Sequence, residues 1–213
     1  MMAAATKPAM SLSETDPQLA RTRFNLETAS ILLLDADAMS LSIMSQVLSG
    51  FGAHNMVKCE NLVEVKAALA KTEFQLIILD PAPFGEEGYD FIPWLRRHEK
   101  APNRFTSVII ASGHTQASRV SSARDSGANF VVTKPLAPIT LFERIMWMAR
   151  EQRPFVECKA YAGPERRFRH DGPPPGMDGR RAEDIEAMNR FASTQTLDQT
   201  DIDSIMQPQK APR

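Results

Sequence analysis

Two carboxylates, a hydroxyl and an ammonium each stand at the end of an apolar, strand-length run. Asp35 closes ILLLD (Ile31–Asp35), Asp80 closes LIILD (Leu76–Asp80), Ser112 closes VIIAS (Val108–Ser112), and Lys134 stands in VVTKP (Val131–Pro135). A parallel α/β sheet collects such residues at the carboxyl ends of its strands, where the connecting loops form a crevice and ligands bind. The chemistry suited to such a set is phosphoryl acceptance. One carboxylate can act as nucleophile and metal ligand, a divalent cation neutralises the developing charge, and the hydroxyl and the ammonium hold phosphoryl oxygens.

The elements needed to position these groups follow from the alternation of apolar runs with amphipathic stretches. Strands are predicted at 31–35, 54–59, 75–80, 107–111 and 129–133, and helices at about 38–50, 61–71, 87–98, 116–126 and 138–151. The first, third and fourth strands are continuously apolar, as expected when helices cover both faces, while His54–Cys59 is mixed and suits an edge. The fold class is therefore α/β, a doubly wound five-stranded parallel sheet with right-handed crossovers. Phe91, Trp94 and Leu95, like Leu141, Ile145, Trp147 and Met148, fall at helical spacing and are read as packing residues.

Composition narrows the class further. A chain of 213 residues, 43% hydrophobic and 24% charged, can bury one good core and carry tails. The net charge of −1 offers no general basic face, so direct DNA binding is not expected. Cys59 and Cys158 have no partner at metal-like spacing, the four histidines are scattered, and no disulfide framework is possible, which suits a cytoplasmic protein. No export signal and no run of about 18 apolar residues is found, hence no membrane span is expected. No other nucleophile–base constellation or Gly-rich phosphate loop suggests a metabolic enzyme.

The ordered set of acid, acid, hydroxyl and Lys-Pro, together with Gly88 eight residues beyond Asp80 and the run Ser126-Gly127-Ala128, resembles the response-regulator receiver family of two-component signalling over roughly residues 28–151. The resemblance implies a flavodoxin-like fold and Asp80 as phosphoacceptor, with Ser112 and Lys134 holding the phosphoryl group. It also implies Mg²⁺ on Asp35, Asp80 and the backbone carbonyl of Ala82, and a cis bond before Pro135. A sensor histidine kinase or phosphotransfer protein would be the donor, and a protein target would receive the signal.

Three departures bear on that expectation. Ala36 stands where the family carries a second acid, generally the more direct metal ligand, so weak Mg²⁺ binding is expected. Asp37 could compensate, or could instead be the N-cap of the helix that follows. Ser112 has a similar alternative, a small hydroxyl capping a turn. Pro81-Ala82-Pro83-Phe84 stiffens the loop after Asp80. Val131 occupies the position of the family's switch aromatic, with Phe130 one place early and facing the other side of the sheet.

The flanks differ from the centre. Residues 1–25 are Ala-, Ser-, Thr- and Pro-rich and read as disordered, 26–151 as the receiver-like domain, and 152–213 as a largely disordered Pro/Arg-rich extension with a short helix at 182–193. Arg166, Arg167, Arg169, Arg180 and Arg181 lie near Tyr161 and Phe168. Arginine forks bind phosphates and stack on purines, so this segment is either a solvated linker or a nucleotide site. It is similar to Arg-rich extensions of CheY-like regulators that bind cyclic di-GMP. Two functions follow: a response regulator without a fused output domain, phosphorylated on Asp80, or a degenerate pseudo-receiver controlled by a ligand or partner at the Arg-rich tail.

Overall fold

The computed structural model describes residues 26–113, 116–150, 153–165 and 198–206. Five parallel strands, β1 (Ser30–Leu34), β2 (Asn55–Cys59), β3 (Leu76–Leu79), β4 (Ser107–Ser112) and β5 (Phe130–Thr133), form a sheet in the order β2-β1-β3-β4-β5. Helices α1 (Ala38–Gly50), α2 (Leu62–Leu69), α3 (Gly85–His98), α4 (Ala117–Ser126) and α5 (Pro138–Arg150) alternate with them. Strand order reverses between β1 and β3, which opens a crevice where Asp35 and Asp80 emerge side by side.

The pleat divides the strand residues between two cores. Leu32, Leu34, Ile77, Leu79, Val108, Ile110 and Val131 face α2, α3 and α4, joining Val65, Leu69, Phe91, Leu95 and Val120. Ile31, Leu33, Leu76, Ile78, Ile109, Phe130 and Val132 face α1 and α5, joining Leu41, Leu48, Leu141 and Ile145. This explains the unbroken apolar runs: both faces of the central strands are covered. Phe130 is on the α1/α5 side, edge-to-face with Trp147 at 5.1 Å between centroids, as its register predicts.

Helix starts follow local chemistry. The Asp37 carboxylate accepts from the backbone N–H groups of Met39 and Ser40 and from the Ser40 hydroxyl, capping α1. Asn61 and Glu64 form a reciprocal box at α2: Asn61 Oδ1 accepts from Glu64 N–H and Glu64 Oε2 accepts from Glu60 N–H. Arg96 of α3 is buried, and its guanidinium donates to the carbonyls of Gly127, Arg104 and Thr106. Removal from water pushes its pKa down to about 10.

The stretch after residue 152 departs from its expected lack of structure. Strands β6 (Phe155–Glu157) and β7 (Ala162–Pro164) make an antiparallel hairpin, and helix α6 (Gln199–Met206) packs on α4 and β5. Each is held by tertiary contacts that local composition does not announce. Phe155 meets Phe105 edge-to-face at 4.8 Å, and Arg104 pairs with Glu157 at 2.7 Å. Ile202, Ile205 and Met206, spaced i, i+3 and i+4, are buried in the α2–α4 core. The helix expected at 182–193 and the N-terminal segment lie outside the described residues. Among the described residues no helix is long and apolar enough to cross a membrane.

Candidate phosphoacceptor site

Backbone pairing continues past the strand ends and sets the site. Asp35 N–H donates to Cys59 O (3.2 Å), Asp80 N–H to Leu34 O (2.9 Å) and Lys134 N–H to Ser112 O (3.0 Å). These bonds place Asp35, Asp80, Ser112 and Lys134 at one end of the sheet. The Lys134–Pro135 peptide is cis. Asp35, Asp80 and Ser112 are buried, whereas Lys134 is partly exposed at the mouth of the crevice.

Lys134 Nζ joins the two acids, donating to Asp35 Oδ2 at 2.5 Å and to Asp80 Oδ2 at 2.8 Å. Burial alone would push the ammonium's pKa down. The hydrogen bonds and charges of Asp35 and Asp80 outweigh it and hold Lys134 above the ordinary lysine value. The remaining carboxylate oxygens face the loops: Asp35 Oδ1 accepts from Asp37 N–H (2.9 Å) and Asp80 Oδ1 from Ala82 N–H (3.1 Å). The result is two carboxylates held in fixed orientation around one ammonium group.

The other expected ligands are engaged elsewhere. Asp37 is exposed and turned to the α1 N-terminus, where hydrogen bonds from the Ser40 side chain and from the backbone of Ser40 and Met39 hold its carboxyl below the usual carboxylate range. Of the two roles open to it, the helix cap is the one the contacts fill. The Ala82 carbonyl accepts from Gly85 N–H in a tight turn over Ala82–Phe84. Ala36 is exposed at the crevice mouth and brings only a methyl group. No cluster of three or more potential metal-ligating acids, histidines or cysteines occurs among the described residues.

Arg166, Arg167, Arg169, Arg180 and Arg181 lie outside the described residues. Tyr161, read as their neighbour, is buried in the β6–β7 hairpin, where its hydroxyl donates to Pro164 O at 2.6 Å, so its ring is committed to packing. Sequence reasoning missed Thr133 and Gln199. Thr133 N–H donates to Gln199 Oε1 at 2.9 Å, linking the residue beside Lys134 to α6. The only sequence signal was the apolar spacing of Ile202, Ile205 and Met206.

Known proteins resemble this chain in sequence and in fold. Transcriptional regulatory protein YvrH of Bacillus subtilis is 27% identical over 120 residues, 56% of this chain and 48% of that protein. Sensory/regulatory protein RpfC of Xanthomonas campestris is 21% identical over 133 residues, 62% of this chain and 18% of that protein. The chain thus spans about half the length of one curated relative and under a fifth of the other. Among solved structures, a signal receiver domain from Clostridium thermocellum superposes with a TM-score of 0.53 at 20% identity, covering 58% of this chain and 99% of that one, a likeness of fold. The family model of the response regulator receiver domain matches residues 31–146, more than half of the chain, and the protein belongs to that family.

Proposed function

We propose that this receiver accepts a phosphoryl group on Asp80 from a phosphohistidine of a sensor kinase or phosphotransfer protein, and signals through a protein partner without chemistry on any metabolite. The observation that carries the reading is the Lys134 ammonium, within 2.5 Å and 2.8 Å of the Asp35 and Asp80 carboxylates. An Asp80 oxygen attacks phosphorus; the new O–P bond forms as the P–N bond breaks, and its electron pair stays on the imidazole nitrogen. Lys134 then pairs with the phosphoryl oxygens, and Ser112, at the end of β4, donates to one of them. Met39 and Ile43 on the first turns of α1, and Ile139 on the first turn of α5, are exposed apolar residues close in sequence to the site. They offer a docking rim for the donor.

The donor set fits a hydrated divalent cation. Mg²⁺ is usually held by one or two carboxylates and keeps several waters, and two carboxylates, Asp35 and Asp80, are what this site presents. When bound, the ion neutralises charge that develops on the transferred phosphoryl group. The affinity is weak, because Ala36 contributes no carboxylate and Asp37 is committed to its helix cap. Asp35 and Asp80 would hold the ion, and the same two carboxylates are paired with the Lys134 ammonium.

Incubation of the full chain with a small-molecule phosphodonor and Mg²⁺ should add an acid-stable, base-labile phosphoryl group, and Asp80→Asn should abolish it. Absence of label in the wild type, under conditions that label an ordinary receiver, would overturn the acceptor reading. Regulation would then be sought in a nucleotide at the Arg-rich tail, with calorimetry against cyclic di-GMP as the measurement.

A further inference from the structure

Helix α6 follows α5 only after residues 151–198, yet it returns to lie along β5 against α4. β5 ends the sheet order, and among the described residues its outward row of backbone groups has no neighbouring strand. Gln199 meets that row with its side-chain amide: Thr133 N–H donates to Gln199 Oε1 (2.9 Å), and Gln199 Nε2 donates to Val131 O (3.0 Å). A further bond from Nε2 to Asp203 Oδ1 (2.9 Å) fixes the amide in that orientation. One side chain thus does the work of an added strand residue.

Below this clamp, Ile202, Ile205 and Met206 enter the groove beside Val120, Ala123, Ala128 and Val131. Asp203 pairs with Arg144 of α5, and Arg124 of α4 donates to Ile205 O at 3.4 Å. The groove therefore recognises a helix by three features: an amide at the N-terminal end (Gln199), a carboxylate one turn on (Asp203), and an apolar stripe of Ile202, Ile205 and Met206. Eight residues are too few to hold a helix alone in water, so α6 exists as a helix because the groove orders it. Residues 166–197 connect it to the hairpin, enough chain for it to leave the groove and stay attached.

The clamp also touches the acceptor site. Thr133, whose N–H Gln199 holds, immediately precedes Lys134, whose ammonium bridges Asp35 and Asp80. A phosphoryl group on Asp80 moves the negative charge outward, and Lys134 must follow it, carrying the end of β5. Val131, the other clamp partner, has no ring to swing, so the amide is the link between site and surface.

We propose that α6 is an intramolecular occupant of a docking groove for an amphipathic helix of a partner protein, and that phosphoryl transfer to Asp80 loosens it through the Thr133–Gln199 bond. The trigger rests on the acceptor reading; the groove does not. The test uses the full-length chain and a fluorescent peptide carrying residues 196–207, with binding followed by anisotropy. The tethered helix competes at an effective concentration of about a millimolar, so the wild type should bind the peptide poorly. Replacing Ile202→Asp and Ile205→Asp in the chain should free the groove and tighten peptide binding about tenfold or more. Gln199→Ala, a milder change, should give an intermediate gain and serves if the double variant loses its fold. Equal affinities for wild type and for the folded variants overturn the groove, and a wild-type dimer formed by exchange of α6 overturns the intramolecular occupancy. Phosphodonor treatment should raise the wild-type affinity and leave Asp80→Asn unchanged. If Asp80 labels and the affinity stays fixed, the trigger is wrong and the acceptor reading stands. If Asp80 does not label, the trigger falls with the acceptor reading, and the chain variants alone decide the groove.

Discussion

Three consecutive residues follow β1 at the edge of the site and point three different ways. Asp35 faces Lys134, Ala36 offers a methyl group, and Asp37 turns away to cap α1. Restoring an acid with Ala36→Asp should tighten Mg²⁺ binding about tenfold or more, about 1.4 kcal/mol. Intrinsic fluorescence titrated with Mg²⁺ reads the change, and equal affinities before and after would show that position 36 lies off the ion's coordination sphere. The sequence made the missing acid legible, because a residue type at a strand end is a local fact. It left the role of Asp37 open, because cap and ligand use the same carboxylate. Only the direction of the side chain, set by Met39 and Ser40 N–H, separates them.

At the scale of elements, the Asp37 cap gives α1 its start and the site its rim. Asp37→Ala should lower the midpoint of urea unfolding, and Asp37→Asn, which keeps an accepting oxygen, should restore most of it. Neither should prevent labelling of Asp80, since the carboxylate points at the helix. The pH dependence has a definite sign. A carboxyl held below its ordinary value contributes stability above about pH 4 that is lost as pH falls through the depressed value. Lys134, held above its ordinary value, contributes stability fully below about pH 10 and loses it only as pH rises past that. The gap between wild type and Asp37→Ala should therefore be constant from about pH 5 to about pH 9 and close in acid. Denaturation midpoints across that range check it, and a gap that persists in strong acid would assign the loss to helix propensity. The five βα units were legible with edges shifted by a residue or two, as at α2, which ends at Leu69, because a long apolar period outvotes local ambiguity. Hairpin β6–β7 and helix α6 were not, since each is short and its order is supplied by residues distant in sequence, Phe105 and Arg104 for one and Val120 and Val131 for the other.

The described residues form a sheet with two covered faces plus two later pieces, one beside β5 and one at the end of the sheet remote from Asp80. Helix α6 closes the β5 edge, and the hairpin closes the end of the sheet remote from Asp80, beside the turns that lead into β4 and β5. Hairpin and domain approach each other closely where two glycines meet. Gly127, at φ +101° after α4, would place an added Cβ 2.6 Å from Ala162 O. Gly163 would place one 2.8 Å from Gly127 Cα and 2.6 Å from the Tyr161 hydroxyl. Gly163→Ala should force the hairpin off and cost about 1–3 kcal/mol, raising hydrogen exchange over residues 155–164 while the strands of the main sheet keep their protection. Gly127→Ala should cost more, because it adds backbone strain to the same clash. The two losses should be less than additive in the double variant, since a hairpin already displaced cannot clash again. Urea unfolding of the three variants measures the coupling. Strict additivity would mean that the hairpin contributes no stability where it meets Gly127, and that the segment after residue 152 rests on the domain through the Arg104–Glu157 pair and Phe155 instead.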